Sequence, residues 1–226
     1  MDWTAAVDAY CERTDAAFWS EPVNAATNAA FLLAAVVMWR RTSGTRAPIQ
    51  AVLIALLFAI GIGSGLFHTF ATRWAGLADV VPIGLFILAY VFAANRDYWR
   101  LPIWAAALGT AAFLPYAAAA GTAFAALPGF AISAAYWPVA LLVAIYGVAL
   151  LRQVPETGRG LLGGAAILTV SLTARSSDGA LCGAVPLGTH WLWHLLNAAM
   201  LGWMIEVHRR HLARGGPALE GRAGGR

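Results

Sequence analysis

The chain has 226 residues, of which 60% are hydrophobic and 12% charged. A soluble domain carries about 25% charged residues, and with a mean hydropathy of +0.67 this composition excludes an ordinary soluble enzyme and points to an integral membrane protein. The formal charge of +4 is no argument for nucleic-acid binding, because every basic residue is an arginine and most lie in short loops or near the C-terminus, where topology signals account for them.

Residues 1–23 form an acidic segment without the apolar core of a cleaved signal peptide. A membrane helix needs about 20 mostly apolar residues, and the hydropathy pattern predicts seven spans, over 24–40, 48–70, 79–95, 101–120, 131–151, 160–174 and 187–206. The fourth and fifth are Ala-rich and blur around Leu127-Pro128-Gly129. The sixth is short, and its Gly160, Gly163 and Gly164 predict close helix packing. Residues 207–226 read as a basic, disordered cytoplasmic tail, in which His208 and His211 are expected to be solvated. The expected fold is therefore all-α, a seven-transmembrane helix bundle over 24–206.

The arginines test the span count. Arg40, Arg41, Arg46, Arg96, Arg100, Arg152, Arg159, Arg209, Arg210, Arg214, Arg222 and Arg226 all fall on one side of a seven-span chain. Arg13, Arg73 and Arg175 fall on the other. The positive-inside rule then places the N-terminus outside and the C-terminus in the cytoplasm. Six or eight spans would split the basic loops between the two sides.

Ionisable groups in membrane segments are costly and mark function by default. Here they read Ser64-Gly-Leu-Phe-His68, then Asp79, then His190-Trp-Leu-Trp-His194. A lone membrane histidine is more often a packing residue than a ligand, and Trp191 and Trp193 have an ordinary role as interface anchors. The His190/His194 pair shifts the balance, because i and i+4 share one helix face. In the seven-span topology His68 ends the second span on the outer side, Asp79 begins the third there, and His190 and His194 begin the seventh there. Three imidazoles with an open fourth position form a catalytic zinc arrangement, and a zinc-bound water is a usable nucleophile near neutral pH. Asp79 is placed to orient that water or accept its proton. Ser64, one turn before His68, is placed to hydrogen-bond an oxyanion.

Ser-x-x-x-His, a following Asp and a late His-x-x-x-His on seven spans resemble the CREST superfamily of membrane hydrolases, which includes alkaline ceramidases and progestin/adiponectin-type receptors. Within it, Tyr10-Cys11-Glu12 followed by Glu21-Pro-Val-Asn24-Ala-Ala-Thr27-Asn28 is similar to the alkaline ceramidase signature. The resemblance implies His68, His190 and His194 as zinc ligands, Asp79 and Ser64 as catalytic helpers, and cleavage of a ceramide or related N-acyl lipid that enters from the bilayer. It also implies a calcium site in the N-terminal segment. Glu12 and Glu21 match carboxylate positions, and Tyr10 matches a position that binds through its backbone carbonyl. Ala9 and Thr14 stand where the family has an aspartate and an asparagine, so Asp8 or Asp15 is needed as a substitute oxygen ligand for Ca²⁺.

Cys11 and Cys182 both fall outside in this topology. The Arg-only, Ala-rich composition is that of a high-GC bacterial genome. In a bacterial inner membrane the outer side is the oxidising periplasm, where a disulfide between them is expected. Arg175 and Asp178 lie near Cys182, and the sequence leaves open whether they pair with each other or orient a neighbour. The alternative function is a receptor- or sensor-like protein with a structural metal. A transporter is disfavoured, because spans four to six are almost devoid of ionisable groups. The sequence assigns no oligomeric state.

Overall fold

The computed structural model describes residues 2–44 and 47–215. Among them there is no strand, only an isolated antiparallel bridge between Ala6 and Thr72. The helices are α1 (Pro22–Thr27), α2 (Ala29–Thr42), α3 (Pro48–Phe70), α4 (Arg73–Ala93), α5 (Ile103–Ala125), α6 (Trp137–Leu150), α7 (Pro155–Leu181) and α8 (His190–Gly215). Only Asn28 separates α1 from α2, and its backbone is itself right-handed helical, so the two form one rod. α4 runs on into a π-helical turn, Ala94–Tyr98. Each of the seven expected apolar stretches therefore falls on a helical rod.

Four rods are long and apolar enough to cross a membrane: Pro22–Thr42, Pro48–Phe70, Arg73–Tyr98 and Ile103–Ala125. That marks the chain as a membrane protein. α6 is apolar but has 14 residues, and α7 and α8 are longer but carry charged residues. Large apolar side chains such as Leu33, Ile62, Leu85, Ile103, Trp104, Leu108 and Val148 stand exposed around the rods. A surface of this kind is unusual for a soluble monomer and ordinary for one bathed in lipid.

Prolines set several helix starts, since a first-turn residue needs no N–H partner within the helix. Pro22, Pro48, Pro138 and Pro155 all sit there. The core joins Phe31 of α2, Leu53, Leu57 and Ile60 of α3, Phe86 and Tyr90 of α4, Leu161, Leu168 and Leu172 of α7, and Leu201, Met204 and Ile205 of α8. The closest pairings are α3 with α4, α7 with α8 and α6 with α7. Small residues allow them: a side chain at Gly160 would meet Val207, and one at Gly164 would meet the Met204 sulfur. These are two of the three glycines from which close packing was expected.

The N-terminal segment closes one end of the bundle. It lies across the turn between α3 and α4, where Val7 N–H donates to Ala71 O (2.7 Å), and Arg73 and Trp74 N–H donate to Ala5 O and Trp3 O (both 3.1 Å). The first N–H groups of a helix lack partners within it, and this segment supplies them for α4. A Cys11–Cys182 disulfide, Cα atoms 5.4 Å apart, ties the segment to the end of α7.

Helix ends differ from expectation in several places: α5 runs on to Ala125, and α6 begins only at Trp137. α4 begins at Arg73, so Asp79 sits in its second turn rather than at its start. α7 has 27 residues and is not short; its Gly, Ser and Thr residues lower its hydropathy without breaking it. α8 continues to Gly215, so the expected disorder does not hold for 207–215. His208 is fully buried rather than solvated. Its Nε2 lies 2.7 Å from Asp97 Oδ2 and its Nδ1 3.3 Å from Gln50 Nε2. His211 is half-buried and bonds Asp97 O (3.1 Å) and Thr157 Oγ1 (2.9 Å). Arg46 and the end of the expected tail, 216–226 with Arg222 and Arg226, lie outside the described residues.

Candidate metal centre

His68 lies in the last turn of α3, His190 opens α8, and His194 follows one turn later. All three are buried, at 0%, 2% and 0% exposure. Their ring centroids form a tight triangle: 5.1 Å from His68 to His190, 4.7 Å from His68 to His194, and 4.6 Å from His190 to His194. One nitrogen of each ring, His68 Nε2, His190 Nδ1 and His194 Nε2, is buried with no hydrogen-bond partner. Buried polar atoms are nearly always bonded, so each exception calls for a reason. Three exceptions on one triangle, with ligand atoms within 4.8 Å of one another, have a common reason: the group could hold a metal ion. It is the only such group of His, Cys, Asp and Glu among the described residues.

The other nitrogens of His68 and His194 are held. His68 Nδ1 lies 2.6 Å from Glu21 Oε2. Glu21 also accepts from Arg13 Nε (2.5 Å) and Asn24 Nδ2 (3.2 Å). A carboxylate only accepts, so His68 Nδ1 carries the proton and its Nε2 lone pair is free. His194 Nδ1 lies 2.9 Å from Thr27 Oγ1. The Thr27 hydroxyl gives its own proton to the helix carbonyls of Val23 (2.8 Å) or Asn24 (3.0 Å), so it accepts from His194, which again frees Nε2. Hydrogen bonds that fix the tautomer and orientation of an imidazole are what metal ligands require.

Burial works to raise the Glu21 carboxyl, but the hydrogen bonds and charges of His68 and Arg13 outweigh it. The group is held below the usual glutamate range. The Tyr10 ring stacks on His190, centroids 3.6 Å apart. Burial pushes its hydroxyl up to about 12, so it stays protonated and can donate.

Ser64 is buried on the inner face of α3. The Asp79 carboxylate is within electrostatic reach of Ser64 and His68. Gly63 permits this, because a Cβ there would collide with the Ala78 carbonyl. α3 and α4 touch backbone to backbone beside the centre. His68, His190, His194, Asp79 and Ser64 are thus brought together.

The expected calcium ligands are not. The Glu12 carboxylate accepts from Val23 N–H (2.6 Å) and Asn24 N–H (2.7 Å) and so caps α1. Glu21 belongs to the histidine centre. The Tyr10 carbonyl accepts from Arg13 N–H (3.2 Å) in a turn, and Asp8 is exposed.

Glu21 and Thr27 are roles that sequence reasoning missed. The signal was present: Glu21, Asn24 and Thr27 recur every three residues, which puts them on one face of α1. Asp178 is a third. Its Oδ1 accepts from Thr189 N–H (2.7 Å) and His190 N–H (2.9 Å), and its Oδ2 from Cys11 N–H (3.0 Å). It caps the helix that carries two ligands, and it does not pair with Arg175.

The fold and site define a helical membrane protein with a buried three-histidine centre and a carboxylate beside it. No protein-family model matches the chain, and no curated protein matches it.

Proposed function

We propose that the protein is a zinc-dependent membrane amide hydrolase that cleaves ceramide or a related N-acyl lipid. The observation that carries this reading is the triangle of three buried, unpartnered imidazole nitrogens with Asp79 alongside. Three neutral nitrogen ligands and an open position suit zinc better than hard cations, which prefer oxygen. When bound, zinc polarises a carbonyl and lowers the pKa of a coordinated water. Asp79 takes the proton of the attacking water and returns it to the amine nitrogen as the C–N bond breaks. The water oxygen ends in the fatty acid, and the other half leaves as an amine or sphingoid base. Ser64, buried beside Asp79, would donate to the carbonyl oxygen as charge develops there.

The substrate enters from the bilayer. The apolar void of about 50 Å³ between α4, α6, α7 and α8, lined by Phe86, Val139, Leu142 and Leu168 among others, would have to widen several-fold to take an acyl chain. In this reading the chain makes seven spans in a bacterial inner membrane, with the N-terminus and the centre toward the periplasm and the C-terminus in the cytoplasm.

The test is metal analysis joined to a fatty-acid release assay on a short-chain ceramide and on other N-acyl lipids. Wild type should hold one zinc per chain and release fatty acid. His194→Ala should lose both, and Asp79→Asn should keep the metal and lose turnover. A zinc-loaded wild type that cleaves no N-acyl lipid ends the hydrolase reading in favour of a receptor- or sensor-like protein with a structural metal.

A further inference from the structure

Arg175 is a half-buried cation without a counter-ion. Among the described residues no carboxylate lies within ion-pair distance of it. Asp178, three positions later, is fully engaged by the start of α8 and by Cys11. The other two arginines expected at this end differ: Arg13 is bonded to Glu21, and Arg73 is exposed.

Arg175 is nonetheless held in place. Its guanidinium carbon lies 5.5 Å from the Tyr136 ring centroid and 5.8 Å from that of Trp193. Nη1 donates to Ile132 O (2.7 Å) and Ser133 Oγ (3.2 Å), and the guanidinium charge is felt at the Tyr10 hydroxyl. A guanidinium has five N–H donors, so about three remain for a ligand. Buried or half-buried charges are normally paired. An arginine clamped between aromatic rings, with donors to spare and no carboxylate bonded to it, can receive an anion from outside the chain; Asp79 feels its charge but makes no ion pair with it.

Its position says which part of a substrate that anion belongs to. Trp193 precedes the ligand His194 in the chain. Tyr10 links the guanidinium to His190, against which its ring stacks at 3.6 Å. Arg175 therefore stands beside the metal triangle, and its charge is felt at Asp79, His190 and His194. It is placed to meet a charged group of the substrate near the amide.

We propose that Arg175 reads the headgroup, and that the preferred substrates are N-acyl lipids whose amine half bears an anion, a carboxylate or a phosphate, rather than neutral ceramides. This rests on the amide-hydrolase reading for turnover, but the preference in binding is measurable without it.

The experiment uses the full-length, zinc-loaded protein in detergent with three probes: N-lauroylglycine, N-lauroylethanolamine and N-lauroylethanolamine phosphate. Binding is followed by native mass spectrometry and thermal shift, and turnover by fatty-acid release. Wild type should bind at least one of the anionic amides about tenfold or more tighter than the neutral one. The order of the two anionic probes assigns carboxylate or phosphate. Arg175→Met should bring the anionic-to-neutral ratio to about one while zinc content is retained, and Arg175→Lys should keep part of it. Where turnover is seen, Arg175→Met should raise KM for the anionic amide far more than it lowers kcat. Equal binding of all three probes by wild type overturns the proposal, as does a preference that survives in Arg175→Met. Hydrolysis of none of the three, with the binding preference intact, removes the hydrolase reading and leaves Arg175 as an anion receptor.

Discussion

Two of the three histidines of the centre depend on a second residue outside the triangle. Glu21 holds His68 and Thr27 holds His194. Loss of such a partner typically costs 10–100-fold in metal affinity. Glu21→Gln should therefore weaken zinc binding by roughly that factor, as read by chelator competition, without emptying the site as His68→Ala would. The pH dependence has a definite sign. The folded Glu21 carboxyl is held below its ordinary value, so its stabilising contribution is complete above the ordinary glutamate range and is lost as pH falls through the lowered folded value. The Tm difference between wild type and Glu21→Gln should thus persist from neutral pH down through the ordinary glutamate range and close only below it. A gap that closes already near neutrality contradicts the pairing. At His194 the hydroxyl is what matters: Thr27→Val should weaken zinc binding about tenfold or more, and Thr27→Ser should restore it. Equal behaviour of the two variants would mean that the methyl group, not the hydrogen bond, holds the ring.

Among the elements, the crossing of α3 and α4 decides whether Asp79 can act. Gly63 lets the two backbones meet, and Ser64, next in the chain, is within electrostatic reach of the carboxylate. Gly63→Ala should push α4 away at Ala78 and cost about 1–3 kcal/mol, as overpacking does. Zinc content should change little, because the three ligands lie on α3 and α8, whereas fatty-acid release should fall at least tenfold, because a misplacement of about 1 Å can cost 100-fold in rate. Parallel loss of zinc and turnover would show that the crossing supports the ligands instead. Helix existence and the histidine triangle were legible in the sequence, since a histidine stands out in an apolar run and the order of the runs brings the three rings to one end. Helix ends were not. A hydropathy window cannot see that His208 is buried by bonds to Asp97 and Gln50 from distant rods, or that small residues lengthen α7 by packing. The role of Glu21 was hidden for another reason: a carboxylate at that spacing suits a calcium ion and an imidazole equally well, and only the fold chooses.

At the scale of the molecule, the two ends of the bundle are chemically opposite. One carries the histidine centre, the Cys11–Cys182 bridge and Arg175. The other carries the buried His208–Asp97 pair, with Arg96 bonded to Asp97 (2.9 Å) and Arg209 and Arg210 bonded to Glu206 (2.8 and 2.7 Å). Arginines favour a span end in the cytoplasm, and a stable disulfide requires an oxidising side, so two unrelated pressures support the orientation proposed above. In a bacterial host, a C-terminal fluorescent-protein fusion should fluoresce and a C-terminal alkaline phosphatase fusion should be inactive, with the reverse for fusions at the N-terminus. Non-reducing peptide mapping should recover Cys11 linked to Cys182, and the link should be lost in a host without its periplasmic thiol oxidase. Because the bridge pins the segment that contributes Tyr10, Arg13 and Glu21, Cys11→Ser should also lower Tm and speed zinc loss to a chelator. The bridge closes a loop across a sequence separation of 171 residues, so its removal frees a long stretch of chain and should cost about 2–4 kcal/mol. Free Cys11 and Cys182 thiols in a host that has its oxidase would place this end of the bundle in a reducing compartment and reverse the orientation.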